Sequence, residues 1–489
     1  TMKNKIFNNI LLIVLSLGFI GCEDYVDYDA SEAYTIVADD YFKTSADYEA
    51  ALVGTYDVLQ WNIYSVMIGD IASNNSLCGG ESATDVIGLQ KIDDMIHVPQ
   101  NDQLTSTWKW LYEGINRANY LVENKDKLEF SRKAELYGEV MFLRAYYYFE
   151  LVKIFGDVPL FTQSRLTASD SNTLTRAAKA TVYAQIEKDL QDAIAALPAA
   201  KSTNGRATSF TAHALLGKVY LYQDKFEEAA TILEPLIGLY TLPSSLQSVF
   251  YNSGQNGPES VFEVQHSKNS NWFDWGFPQG SEGSFAIIHH GPRGYNGSVY
   301  ASGWSFNVPS QDLYDAYDAA DTRRGVAILD IVAWAASTGA EYSEGYEHTG
   351  YFNHKYIPRA GLSGAQQELN YGINYRAIRY ADVLLMAAEA NSRKASPNDS
   401  KAQNYLNQVR ARAFGNNSRA SSSTGATLTK EIWNERRLEL AMEGHRFFDL
   451  VRTGEAAATI PGFIAGKHEV FPIPQTEIDI SGLTQNAGY

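Results

Sequence analysis

Asn271-Trp272-Phe273-Asp274-Trp275 sets two indole planes beside short polar side chains in a polar stretch rich in glycine. A pyranose ring has an apolar C–H face bordered by hydroxyls. An aromatic plane next to an amide or carboxylate suits it, and such a contact adds ~0.5–1.5 kcal/mol beyond the area it buries. Trp272 and Trp275, with Asn271 and Asp274, are therefore the leading candidates for saccharide contact. Packing onto a scaffold is the competing role for these indoles. Tyr295, Tyr300 and Trp304 offer similar planes in the next loop. Earlier in the chain, Asp70, Asn74 and Asn75 offer hydroxyl partners, with Trp61 or Tyr64 behind them.

Other chemistries find little support. His289-His290 are adjacent, so on a strand they point apart, and no third ligand is near; no metal site is expected. Asp315, Asp318 and Asp321 share a helical side without the glycine spacing of a calcium loop, and are expected to face solvent or pair with Arg323 and Arg324. No glycine-rich phosphate loop or serine-hydrolase elbow occurs, and no cofactor is implied. Cys78 has no nearby base in the sequence and reads as an inert loop thiol. A glycosidase would need two carboxylates ~5–9.5 Å apart across a cleft, a spacing that the order of residues along a helical scaffold does not define.

The elements that must position these side chains are mainly helical. Thr429–Gly454 has helical periodicity, with Trp433, Leu440, Gly444, Phe447 and Val451 on one stripe. Its many charges, Glu435 to Arg452, predict a structural network of buried ion pairs. Gly444 inside that stripe predicts close backbone approach by a neighbour. Helical periodicity also marks Asp47–Leu59, Gln103–Leu128, Arg132–Phe155, Thr181–Leu197, Phe210–Gln223, Lys225–Leu239, Tyr375–Arg393 and Lys401–Phe414. From Gln103 onward this makes about eight major helices. Leu216-Gly217, Tyr220, Ala229 and Leu233 match tetratricopeptide spacing, so the expected fold is a tetratricopeptide-like helical-repeat scaffold. Between about residues 242 and 374 the helical period mostly stops, Glu259–His266 alternates like a strand, and a loop-and-hairpin insertion is expected.

The chain has 489 residues, 45% hydrophobic and 20% charged, the balance of a globular protein. A net charge of −17 without a basic stripe argues against nucleic acid as a partner. Lys3 and Lys5 precede an apolar run, Ile10–Ile20, too short to span a bilayer, which ends in Gly21-Cys22. That ending resembles a bacterial lipobox, with Cys22 the acylated residue; an ordinary secretory signal is the alternative. Residues 1–22 are then the signal, 23–40 an acidic tether and 41–489 a single domain. With 2 cysteines, one of them Cys22, no disulfide framework is available.

Several stretches in this order resemble the SusD/RagB family of Bacteroidetes outer-membrane lipoproteins. They are Trp108-Lys109-Trp110-Leu111-Tyr112 with Asn119, Phe142-Leu143-Arg144-Ala145-Tyr146-Tyr147, and Phe155-Gly156-Asp157-Val158-Pro159-Leu160. Tyr380-Ala381-Asp382-Val383-Leu384-Leu385, Asn407 through Arg412, and Glu435-Arg436-Arg437 through Gly444, Arg446, Asp449 and Arg452 follow. Phe471-Pro472-Ile473-Pro474 and Gln485-Asn486-Ala487-Gly488-Tyr489 complete the resemblance, which runs through most of the mature chain. It implies a surface lipoprotein of the outer membrane that captures glycan without catalysis and acts as a lid on a SusC-like TonB-dependent transporter. The loops are closest in style to members of marine β-glucan (laminarin-type) systems. Peptide capture, as in RagB-type members, is the alternative within the family, and a glycoside hydrolase the alternative outside it. The family has no invariant binding motif that would assign site residues.

Overall fold

Eight helices carry the repeat, each packed on a neighbour in the chain. The computed structural model describes residues 41–61, 64–167, 170, 173–200, 203–251, 254–269, 282–364 and 367–489. The proposed signal, Cys22 and the acidic tether lie outside these. Glu49–Tyr489 forms one compact unit; of the other, Thr1–Tyr48, only residues 41–48 are described.

In chain order the main helices are α1 (Ser45–Trp61), α2 (Tyr64–Ile71), α3 (Asp102–Glu123), α4 (Lys133–Phe155), α5 (Lys179–Ala196), α6 (Ser209–Leu221) and α7 (Phe226–Leu233). They continue with α8 (Ile331–Thr338), α9 (Tyr380–Arg393), α10 (Asp399–Phe414), α11 (Gly425–Glu439) and α12 (Arg446–Arg452). Helix α3 packs on α4, α4 on α5, α5 on α6 and α6 on α7; α7 meets α9, which packs on α10 and α11. This is the helical-repeat scaffold read from the sequence. Its tetratricopeptide pair is α6–α7: a Cβ on Gly217 would lie 2.4 Å from Leu233 Cδ2, so only glycine allows the two helices this close. Asp224 turns the chain between them with φ 57°.

Local chemistry fixes the ends. Asn101 accepts from the backbone N–H of Gln103 (3.0 Å) and Leu104 (3.2 Å), capping α3. Gly156 ends α4 in a positive-φ conformation (74°). Helix α7 stops at Leu233, short of the expected Leu239, because Pro235 turns the chain into a 3₁₀ turn.

Two other expectations change. Tyr375–Arg379 is a strand, not the first turn of α9. It pairs antiparallel with Ser260–Val264, the strand expected at Glu259–His266. Thr429–Gly454 is two helices, α11 and α12, separated by a turn in which Met442 (φ 64°) and Gly444 (φ 83°) are left-handed. The close approach expected at Gly444 is present: a Cβ on Gly69 of α2 would lie 2.0 Å from the Gly444 oxygen.

The ion-pair network is built around that turn. Arg379, 1% exposed, donates to Glu443 (2.8 Å), Glu259 (2.7 Å) and Glu439. Arg412 also reaches Glu259 and Glu439; Arg323 meets Asp321 (2.7 Å), Glu435 (2.6 Å) and Glu439 (3.0 Å); Lys355 meets Glu443 (2.6 Å). Burial raises the Glu439 pKa, but Arg412, Arg379 and Arg323 outweigh it, and the carboxyl stays well below its usual range. Arg144, in the Phe142–Tyr147 stretch, is a second hub: it donates to Asp189 (2.8 Å) and Asn119 (2.9 Å) and joins α3, α4 and α5.

The insertion between residues 242 and 374 is more ordered than loops alone. It holds apolar clusters of its own, one around Phe250, Phe285, Ile287 and Tyr356 and another around Tyr295, Tyr300 and Phe352. Among the described residues its strands form only two-stranded sheets, as between Ile328–Asp330 and Tyr351–Asn353.

Candidate functional site

Trp272, Trp275, Asn271 and Asp274 lie outside the described residues, but the two ends of their segment are in view. Ser267 N–H donates to Glu282 C=O (2.8 Å), closing a neck. The neck is held from three sides. Ser284 and Tyr371 exchange backbone hydrogen bonds (2.8 and 3.4 Å), Lys268 Nζ donates to Gly361 C=O (2.9 Å), and His266 N–H donates to Asn374 Oδ1 (2.9 Å). From α1, Gln60 Nε2 donates to Gln265 C=O (2.7 Å), so the neck leaves the body beside the C-terminal end of that helix.

A cavity of about 200 Å³ opens there, with Asp57, Gln60, Asn204, Arg206, Gln265 and Glu282 in its wall. These amides and charged groups stand among Val53, Leu59 and Val264, so the wall combines hydrogen-bonding groups with apolar surface. Burial raises the Asp57 pKa to about 6, with Arg117 opposing and Glu282 adding to the rise. Arg117 holds Asp57 (3.2 Å), and Arg206 pairs with Glu139 (3.1 Å) and Glu49. Trp61 is buried, with the Arg117 guanidinium 4.6 Å from its ring centroid.

The other candidates are distributed differently. Trp304 is half-buried, its ring 5.0 Å from that of His289 in an edge contact. His289 and His290 sit in a 3₁₀ turn, Ala286–His290, rather than on a strand, and both are buried. Tyr295 and Tyr300 belong to an apolar cluster, and their hydroxyls are engaged inside the protein: Tyr300 with His354 Nε2 (3.0 Å) and Tyr295 as acceptor from Trp334 Nε1 (3.1 Å). The aromatic nearer the surface there is Trp334 on α8, half-buried beside Val332, which is 55% exposed. The sequence offered a signal for it in Ile331-Val332-Ala333-Trp334, an apolar run opened by the capping residue Asp330, which accepts from Ala333 N–H (2.9 Å).

Asp70, Asn74 and Asn75 tie the fold together. Asp70 is fully buried and accepts from Asn307 Nδ2 (2.9 Å) and Gly444 N–H (3.0 Å); burial raises its pKa to about 7 against those two bonds. Asn74 links Asp312 (2.7 Å) to Arg446 (3.0 Å), and Asn75 accepts from Arg437 Nε (2.9 Å). These contacts join the start of the chain to its C-terminal helices. Cys78 lies on a buried strand, Ser76–Cys78, where burial and then Asp93 raise its thiol pKa. Asp321 pairs with Arg323, and Asp318 with Arg419 (2.7 Å). Among the described residues no group of three or more His, Cys, Asp or Glu is placed to hold a metal ion.

The sequence reading missed the residues that line the cavity. Asp57 and Gln60 occupy the polar face at the end of α1, and Asn204-Gly205-Arg206 has the composition of a turn; neither has a spacing that marks binding. They meet Gln265 only through folding.

The fold defines a helical-repeat protein, with a cavity lined by residues of α1, of the turn at residues 204–206 and of the stretch 263–265. The family model described as "SusD family" matches residues 330–469, and one described as "Starch-binding associating with outer membrane" matches residues 33–221. Among solved structures, a "Laminarin binding SusD-like protein" is 37% identical, covers 92% of this chain and 100% of its own, and superposes with a TM-score of 0.82. The surface glycan-binding protein A from Bacteroides thetaiotaomicron in complex with laminarihexaose is 27% identical, covering 91% of this chain and 100% of its own at a TM-score of 0.81. SusD-like protein P2 from Formosa agariphila is 28% identical over 98% of this chain and 99% of its own length. This chain belongs to the SusD family.

Proposed function

We propose that this protein captures a β-glucan of the laminarin type at the cell surface, without cleaving it, and delivers it to a SusC-like TonB-dependent transporter. The observation that carries the sugar class is the 37% identity, over 92% of this chain, to a laminarin-binding relative. The complex of a second relative with laminarihexaose points the same way. Within this chain, Trp272 and Trp275 supply the planes for pyranose rings, and Asn271 and Asp274 the hydroxyl partners. Glu282, which closes the neck with Ser267, lies in the wall of the cavity, where Gln60, Asn204 and Gln265 offer further polar groups. Trp304 and Trp334 are the next aromatic candidates. Acylation of Cys22 is the anchor in this reading; among the described residues no helix is long and apolar enough to cross a membrane.

The test is affinity electrophoresis of the chain lacking its first 22 residues, in gels cast with laminarin, starch, a β-mannan or no polysaccharide. Laminarin is expected to retard the protein, and Trp272→Ala with Trp275→Ala to abolish that retardation while leaving the melting curve nearly unchanged. Full retention by the double variant would remove the site assignment, and preferential retardation by another polysaccharide would remove the sugar. No reducing ends should appear on prolonged incubation; turnover would identify an enzyme instead. Binding of peptides with indifference to every polysaccharide would overturn the reading as a whole.

A further inference from the structure

A second cavity, of about 170 Å³, shares Glu263 with the first and is lined among others by Pro243, Ser248, Ser260 and Arg376. Two buried donors in its wall have no partner. Arg376 is 1% exposed, and Ser260 6%. Arg376 spends its terminal nitrogens on two backbone carbonyls, Asn374 (2.6 Å) and Val249 (2.9 Å), and its Nε has no hydrogen-bond acceptor; neither has Ser260 Oγ.

The charge balance is as unusual as the hydrogen bonding. Arg379, three positions further along the same strand, faces three carboxylates. Among the described residues no carboxylate comes within 4.0 Å of Arg376. The acidic residue opposite it in the ladder is Glu263, but that carboxylate accepts from Asn256 N–H (3.0 Å) and Asn374 Nδ2 (3.0 Å) instead. Glu259, also in the cavity wall, is taken by Arg379 and Arg412. The face of Phe250, its centroid 5.4 Å from the Arg376 guanidinium, offers only a weak substitute. A buried cation without a counter-charge costs several kcal/mol. Water beside the two donors would satisfy them but bring no negative charge into contact with Arg376.

We propose that this cavity binds a small oxyanion, which accepts hydrogen bonds from Arg376 Nε and Ser260 Oγ and supplies the counter-charge that Glu263 withholds. A carboxylate, sulfate or phosphate shares this chemistry, whether as a free ion or as the acid group of a saccharide. The proposal does not rest on the assignment of the glycan segment.

The test is thermal melting and calorimetric titration of the purified chain with sodium sulfate and with sodium glucuronate, against sodium chloride at equal ionic strength. A saturable rise in Tm with sulfate alone identifies a free ion, and one with glucuronate a saccharide-borne group. Ser260→Ala is expected to weaken the saturable binding about tenfold, the scale of one hydrogen bond to a charged group. Arg376→Lys, which keeps the charge and lacks Nε, is expected to abolish it. Glu263→Gln, which removes a competing negative charge, is expected to tighten it. Absence of a saturable component with either anion would overturn the proposal. So would an unchanged response in Ser260→Ala, a variant small enough to fold.

Discussion

Arg379 touches Glu259, Glu439 and Glu443 at once, with almost no solvent to take over if it is lost. Replacing it by alanine strands those carboxylates, and the expected loss is ~3–5 kcal/mol, measured by urea denaturation. Arg446 is different. The sequence places it among the internal braces, but it is half-buried and donates Nε to Asn74 (3.0 Å) rather than to a carboxylate. Burial, followed by the nearby Arg437, lowers its pKa to about 10. Arg446→Ala should therefore cost only ~1 kcal/mol, the scale of one hydrogen bond.

Titration at this scale has a definite sign. Burial pushes the pKa of His266, His289 and His354 down to about 4, and that of His97, His290 and His445 to about 3. An unfolded imidazole binds a proton below about 6.5 that the folded one refuses, so this contribution is present above that pH and lost on acidification. Asp57, raised to about 6, and Asp70 and Asp93, raised to about 7, act the other way: they favour the folded state at low pH and cease to do so as pH rises through those values. The histidines outnumber the aspartates. Melting temperature should fall between pH 6.5 and 4, and a rise over that interval would contradict the burial of these rings. That charges in the C-terminal stretch are internal braces was legible from their density on an apolar periodicity. Which arginine is the hub was not, because the hub, Arg379, sits in a segment with helical periodicity that folds as a strand.

At the scale of elements, the crossing of α2 with the turn between α11 and α12 is a tight constraint. A Cβ on Gly69 would meet the Gly444 oxygen, and one on Gly444 would meet Val66 Cα at 2.6 Å. Gly69→Ala should lower stability by ~1–3 kcal/mol through overpacking, seen as a lower urea midpoint with an unchanged slope. The helical framework was readable from apolar periodicity and from Leu216-Gly217 with Ala229, since each records a local rule. The break after Glu439 was not readable. The turn there packs against a neighbour more than 350 residues away in the chain, Gly69, while the periodicity of the stretch continues across the turn. The strand at Tyr375–Arg379 is of the same kind: its pairing with Ser260–Val264 overrides a helical pattern.

For the molecule as a whole, the braces of the scaffold can be tested apart from the proposed binding residues. The scaffold rests on glycine-mediated helix contacts and on ion pairs around Arg379 and Arg144, and the proposed binding residues, Trp272 and Trp275, are not among these braces. Arg379→Ala should therefore lower the melting temperature while the folded fraction keeps its affinity for laminarin, measured by calorimetry well below the transition. The aromatic half of the candidate site was visible in the sequence because tryptophans in a glycine-rich loop have no evident core to enter. The polar half was not: Asp57, Gln60, Asn204 and Gln265 come from three separate stretches and are brought together only by the tertiary fold.

The neck has one more consequence. A segment whose two ends are clamped side by side can be exchanged for another of different length or composition at little cost, because closing a longer loop adds only ~0.6 kcal/mol per doubling. Gln60, Lys268 and Asn374 grip the clamp and its flanks. The same frame could thus be refitted for a different polysaccharide by replacing one cassette, and transplanting residues 270–281 between relatives, with Lys268 kept, should transfer sugar preference.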